Sequence, residues 1–254
     1  MKQQSEEKIF FKNSLGQRLA GVLHLPKKPT VKAIVICHGY ASSKDGKAKK
    51  LAAFFSKNGY AALRFDFTGC GESQGKLKGN ISTQEVNDAR KAIDVLATRG
   101  FKKIGVIGSS LGGLVVVSVA ALDKRVNATV ALCSPVRFGD YDGVAKAKKT
   151  SKLLFIHGTE DEVVHYQESQ AYYEKAKQPK KLVFVKGANH RFSKPQHLKR
   201  VEREAAAWFN EFLSDDYEGD LTEETWKQIK RGEADCRAGR VYSTKQVLRK
   251  LGVK

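Results

Sequence analysis

The 254-residue sequence has no run of about 18 apolar residues, the length a helix needs to cross a bilayer. Its opening, MKQQSEEKIFF, puts Glu6 and Glu7 where a secretory leader carries basic residues ahead of an apolar stretch. Both absences lead to the expectation of a cytoplasmic protein without a membrane span. The four cysteines, Cys37, Cys70, Cys133 and Cys236, have neither CxxC pairing nor neighbouring histidines, which argues against a zinc site or a dithiol redox motif. They read as reduced thiols, with Cys37 and Cys133 acting as small hydrophobes inside the strand-like runs AIVICHG and TVALCSP. The sequence also lacks an internal repeat, a low-complexity tract, an aromatic RNP motif and a zinc finger.

What is present is charge of one sign and a regular alternation of apolar runs. Lysine and arginine number 46 against 27 acidic residues, a formal net charge of +19. Such an excess suits solubility as well as anionic ligands. The basic residues run from Lys2 to Lys254 without gathering on one element, so nucleic acid is not expected as the main partner. With 41% hydrophobic residues the chain is long enough for one full core plus a small appendage.

From Lys8 to Leu25, KIFFKN and RLAGVLHL are short apolar runs joined through Asn13, Ser14 and Gly16, the pattern of a β-hairpin. After Lys32 the runs KAIVICHG, YAALRFDF, KKIGVIGS, ATVALCSP, KLLFIHG and KLVFVKG follow, most of them separated by helix-like segments. Strands alternating with helices imply βαβ units, and near-continuous apolar strands imply a parallel sheet covered on both faces. The fold class is therefore α/β, a mostly parallel doubly wound sheet, with its chemistry expected beyond the carboxyl ends of the strands.

The strand KKIGVIG runs directly into Gly108-Ser109-Ser110-Leu111-Gly112-Gly113, and the apolar run LVVVSVAAL follows. G-x-S-x-G between a strand and a helix is the context of a nucleophile elbow, with Gly108 and Gly112 making room for a turn that lifts the Ser110 hydroxyl clear of the sheet. Ser109 occupies the variable position. The next strand end carries Glu160, Asp161 and Glu162 together, and spacing does not choose among them. His190, on the loop after KKLVFVKG, is placed to reach back over the sheet as the base. His165 and His197 are weaker rivals, one too near the acids and one inside a closing helical segment, while His24 and His157 read as structural.

In this order of motifs the chain resembles the α/β-hydrolase superfamily, over roughly residues 8 to 213. HGxxDxxV after the penultimate strand of that family commonly holds the triad acid at its D, which selects Asp161 and leaves Glu160 and Glu162 as solvated charges. The residue after HG in similar hydrolases donates a main-chain N–H to the oxyanion hole, so the resemblance implies Tyr40 and Leu111 as the oxyanion pair. Arg64 to Ser73 resembles the family's RxDxxGxGxS turn, with Asp66 and Ser73 in structural roles. The expected activity is hydrolysis of a small ester through a Ser110-His190-Asp161 triad and an acyl-enzyme, with no metal and no organic cofactor. Other triad chemistry on the same fold (peptidase, thioesterase, lactonase, perhydrolase) and an idle scaffold that binds through its tail are the alternatives.

Only about fifteen residues, VRFGDYDGVAKAKKT, follow Pro135 where many relatives insert a lid, too few for a cap domain. A composition shift after Leu213, SDDYEGD, sets a boundary between a hydrolase domain, residues 1–213, and a linker with a helical tail, residues 214–254. Asp220 or Thr222 is a candidate cap for a helix bearing Trp226 and Ile229, and Ser243 with Gln246 forms a capping-box pattern ahead of Val247, Leu248 and Leu251. The tail resembles those of small antitoxin-type proteins, and its apolar faces suit packing on the core, a second subunit or a protein partner.

Overall fold

The computed structural model describes residues 5–77, 83–139 and 141–214. The tail helices, their caps, Cys236 and the antitoxin-like resemblance lie outside the described residues. The hairpin expected at the start is formed by β1 (Ser5–Lys12) and β2 (Arg18–Leu25), paired antiparallel. Asn13 closes it: its Oδ1 accepts the N–H groups of Leu15 and Gln17, and Gly16 supplies the positive φ of 75°.

The main sheet has eight strands in the order β1-β2-β4-β3-β5-β6-β9-β10. Its parallel part is β4 (Ala61–Phe65), β3 (Lys32–Cys37), β5 (Lys103–Ser109), β6 (Val126–Leu132), β9 (Leu153–Gly158) and the edge strand β10 (Lys180–Val185), with β2 antiparallel to β4. β4 and β9 are buried along their whole length, as strands covered on both faces must be, whereas β10 alternates because its outer face meets water.

One face is covered by α1 (Lys47–Lys57) and α6 (Pro195–Leu213), whose Phe55, Val201, Trp208, Phe209 and Leu213 pack on Ile34, Ile107 and Val130. The close approach of α6 depends on Gly105, where an added Cβ would lie 2.6 Å from the Phe209 ring. The other face is covered by α2 (Thr83–Thr98), α3 (Leu111–Leu122) and α5 (Gln167–Lys175). α3 is buried on nearly every side, which is why its sequence is apolar all round instead of amphipathic.

Where a cap would be inserted, the two-residue strands β7 (Arg137–Phe138) and β8 (Tyr141–Asp142) pair antiparallel and the short α4 (Gly143–Ala147) follows. Among the described residues no helix is long and apolar enough to cross a membrane.

Candidate active site

Ser110 stands between β5 and α3 with φ 56° and ψ −121°, a conformation an L-residue holds only under constraint. The constraint is visible on every side of the turn. The Ser110 N–H donates to the Leu132 carbonyl at 2.8 Å, and the Gly113 N–H returns to the Ser110 carbonyl at 2.8 Å. A Cβ on Gly108 would lie 2.0 Å from the Gly112 oxygen, and one on Gly112 would lie 2.5 Å from the carbonyl oxygens of Cys37 and His38. Both glycines of the motif are thus required by packing of strand, helix and the neighbouring loop.

The loop after β3 leans on this elbow: a Cβ on Gly39 would meet the Ser109 carbonyl oxygen and the Ser110 Cβ at 3.4 and 3.5 Å. His38 fixes that loop from inside. Its Nε2 accepts the Phe67 N–H at 3.1 Å, so Nδ1 carries the proton and donates to the Gly39 carbonyl at 2.7 Å. Burial holds the His38 pKa below the usual histidine value, in keeping with the neutral ring this geometry needs. The next residue, Tyr40, is 43% exposed, with its ring tilted on Phe138 of β7 at 5.6 Å. Among the described residues, no acceptor takes the main-chain N–H of Tyr40 or of Leu111.

Asp161 and His190 meet from the loops after β9 and β10. His190 Nδ1 lies 2.8 Å from Asp161 Oδ2 and 3.0 Å from Oδ1, so Nδ1 donates and Nε2 is left as the basic nitrogen. The Asp161 carboxylate is fully buried, and its Oδ1 also accepts the N–H groups of Val163 and Val164, each at 2.9 Å. Burial opposes its charge, but the donations from Val164, His190 and Val163 outweigh that penalty and hold the carboxyl below the usual aspartate range. Glu160 and Glu162 are exposed, Glu162 touching the site only through a 3.5 Å contact from the His190 N–H to its Oε2. His165 is exposed and His197 is buried in α6, so the structure brings neither rival to Asp161.

Two residues carry more than the sequence assigned them. His157, on β9, is fully buried; its Nδ1 lies 2.6 Å from Ser169 Oγ and its Nε2 is 2.9 Å from the Val164 carbonyl and 3.0 Å from Asp161 Oδ2. It is a structural histidine, and its structure-holding donates to the acid. Cys133, read above as a small strand hydrophobe, is fully buried in the core but sits one residue past β6 with φ 45°, where its sulfur also lies near the Asp161 carboxylate. The strand run ends one residue early because the chain turns there into the Ser134-Pro135 loop. Cys133 Sγ, Asp161 and His190 place ligand-type atoms within 4.8 Å of one another. Burial raises the Cys133 pKa above the thiol range, and the Asp161 carboxylate of this cluster is bonded to the His190 ring.

Asp66 and Ser73 hold the neighbouring loop. Asp66 accepts the Lys44 ammonium at 2.9 Å and the N–H groups of Lys44 and Glu72 at 2.7 and 3.0 Å. Ser73 Oγ donates to the Asp66 carbonyl and accepts the Ala20 N–H. Lys44 and Lys8 together pull the exposed Glu72 carboxyl down to about 2.

Known proteins resemble this chain in sequence and in fold. The family model described as "Serine aminopeptidase, S33" matches residues 28–143, and that of the "Prolyl oligopeptidase family" matches residues 134–216. The human "Alpha/beta hydrolase domain-containing protein 17B" is 26% identical over 196 residues, 70% of this chain and 67% of that protein. The Escherichia coli "Uncharacterized 31.7 kDa protein in traX-finO intergenic region" is 29% identical over 168 residues, and the match spans 57% of its length. Among solved structures, the Pyrococcus furiosus esterase Pf2001 superposes with a TM-score of 0.74 at 22% identity, covering 83% of this chain and 94% of that one. Est1E from Butyrivibrio proteoclasticus, solved with ferulic acid, gives 0.72 at 21% identity over 82% of this chain and all of that one.

Proposed function

Because the chain belongs to the α/β-hydrolase superfamily, we propose that it is a carboxylesterase acting on small or short-chain acyl esters, with Ser110 as nucleophile, His190 as base and Asp161 as orienting acid. The observation that carries this reading is the 2.8 Å bond from His190 Nδ1 to a buried Asp161, which leaves Nε2 basic at the same sheet edge as the constrained Ser110.

The steps follow from that arrangement. His190 Nε2 takes the Ser110 proton as Oγ attacks the ester carbonyl carbon, and the N–H groups of Tyr40 and Leu111 bind the oxyanion. Collapse expels the alcohol, which takes the proton from His190. Water, deprotonated by the same nitrogen, then attacks the acyl-serine, and the acid leaves with Ser110 restored. Asp161 holds the imidazole tautomer and stabilises the imidazolium throughout. The β7–β8 and α4 segment is too short for a cap domain, which favours acyl chains of about two to six carbons over dodecanoyl. In this reading residues 214–254 take no part in the reaction.

The test is labelling with a fluorophosphonate and turnover of p-nitrophenyl esters from acetate to palmitate, with thioesters and aminoacyl anilides alongside. Ser110 is expected to carry the label, Ser110→Ala to lose both label and turnover while keeping its circular dichroism spectrum, and short esters to be hydrolysed fastest. An unlabelled, inactive wild-type chain would leave only the idle-scaffold reading. Preferential turnover of anilides or thioesters would move the assignment to a peptidase or a thioesterase, the former in line with the two family descriptions.

A further inference from the structure

Lys47 opens the first turn of α1 and points under the elbow. Its ammonium donates to Ser109 Oγ at 3.0 Å and lies 5.1 Å from the centroid of the Phe192 ring. Ser109 immediately precedes Ser110, and Phe192 is a buried residue with φ 51°, two positions after His190. One cation therefore touches both the turn that presents the nucleophile and the loop that presents the base. Among the described residues no carboxylate comes within ion-pair distance of it, so a partly buried charge is held only by a hydroxyl and a ring face. Leaving an ammonium so poorly paired costs stability, and a methionine would fill the same space without that cost. The charge itself is then what the position contributes. The ionised groups that face it come from two loops: the Asp161 carboxylate after β9 favours the ammonium and Arg191 after β10 opposes it, while burial keeps the Cys133 thiol after β6 neutral.

We propose that Lys47 is a positioning residue for acyl transfer, which ties the Ser110 turn to the His190 loop and sets a positive charge within electrostatic reach of Asp161. This rests on the reading of Ser110, His190 and Asp161 as the reacting set. Since Lys47 acts through Ser109 and Phe192, its removal lowers kcat and leaves KM nearly unchanged. Burial, with Arg191, also holds the Lys47 pKa below the usual lysine value, so its charge and the alignment it maintains are lost on the alkaline side before an ordinary lysine would titrate.

The experiment compares wild type, Lys47→Met and Lys47→Arg in steady-state hydrolysis of p-nitrophenyl acetate across pH, with fluorophosphonate labelling in parallel. Lys47→Met is expected to lower kcat by about tenfold or more with KM within about twofold. Lys47→Arg, whose charge does not titrate, is expected to restore most of kcat and to carry the plateau further into the alkaline range. Wild-type kcat and pH profile in Lys47→Met would overturn the proposal, and so would a loss that arginine leaves unreversed with the alkaline limb unmoved. Should Lys47→Met fail to fold, Ser109→Ala, which removes only the acceptor, is expected to lower kcat about threefold and to draw the alkaline limb downward; an unmoved limb there overturns it equally. Labelling keeps the two claims apart: if wild type is active but its label lies elsewhere than Ser110, the triad reading fails, whereas a normal Ser110 label beside an unaffected Lys47→Met variant sinks only the role of Lys47.

Discussion

Asp66 and Asp161 are both fully buried carboxylates at the carboxyl edge of the sheet, and they are neutralised in opposite ways. Asp66 meets a permanent cation, the Lys44 ammonium at 2.9 Å, inside a cluster where Lys44 also reaches Glu72 and Asp45 and Arg64 pairs with Asp45. The polar groups that meet Asp161 are neutral: two main-chain N–H groups, the His157 ring and the His190 Nδ1–H. A carboxylate already matched by an ammonium is locked and has nothing left to give. One stabilised by dipoles keeps its full negative charge, ready to stabilise a second charge that appears on His190. The same residue type is thus a rivet in one loop and, in the proposed mechanism, the partner of the base in the other.

Replacing each aspartate by asparagine breaks this comparison most directly. Asp161→Asn is expected to lower kcat by roughly 10⁴-fold, because the amide favours the wrong imidazole tautomer, with little change in melting temperature. Asp66→Asn is expected to do the reverse: it removes the buried partner of Lys44, leaves the ammonium to Glu72 and Asp45, and costs about 1 to 3 kcal/mol in urea unfolding, while the folded fraction turns over at close to the wild-type rate. Exchanged outcomes, with Asp66→Asn folded but inactive, would mean that the two sites have been assigned the wrong way round.

The pH dependence of stability sharpens the same contrast. Burial lowers the pKa values of His24, His38 and His157 from 6.5, so the unfolded chain binds more protons than the folded one just below that pH. Stability contributed by these neutral rings is present above pH 6.5 and is lost as pH falls through their folded values. Asp161, lowered from 3.8, adds stability that is present above 3.8 and disappears only as pH falls through its lower folded value. Urea midpoints measured from pH 8 to 3 should therefore fall in two stages, and His157→Asn should weaken the first. A wild-type curve flat between pH 7 and 5 would contradict the neutral, buried assignment of these rings.

The smallest expected effects belong to residues beside the site. Glu160→Gln and Glu162→Gln should each keep turnover within about threefold of wild type, as exposed charges do. A severe loss in either one, with Asp161→Asn mild, would show that the acid has been misplaced among its neighbours.

The sequence alone determined the elements and the order of the motifs. Continuous β-branched runs made a covered parallel sheet, and Gly108, Ser110 and Gly112 marked the elbow, because strand burial and the sharp turn are properties of residues adjacent in the chain. It also placed His190 and a group of acids on the last two strand ends, although the choice of Asp161 needed a family resemblance. Contacts between distant segments were decided only by tertiary structure. Cys133 reads in sequence as one more strand hydrophobe, and it is buried as one, yet the turn after β6 also brings its sulfur within 4.8 Å of Asp161 and His190. His157 reads as structural and is, but the curl of the loop after β9 also turns its Nε2 onto the acid four residues later. Lys47 and Lys44 are three residues apart among many lysines, and nothing local separates them. Packing of α1 against the sheet sends one to Ser109, 62 residues away, and the chain just before α1 sends the other to Asp66, 22 residues away. Hydrophobic periodicity specifies which face of an element is buried, whereas the partner of a buried charge depends on where other loops end in space.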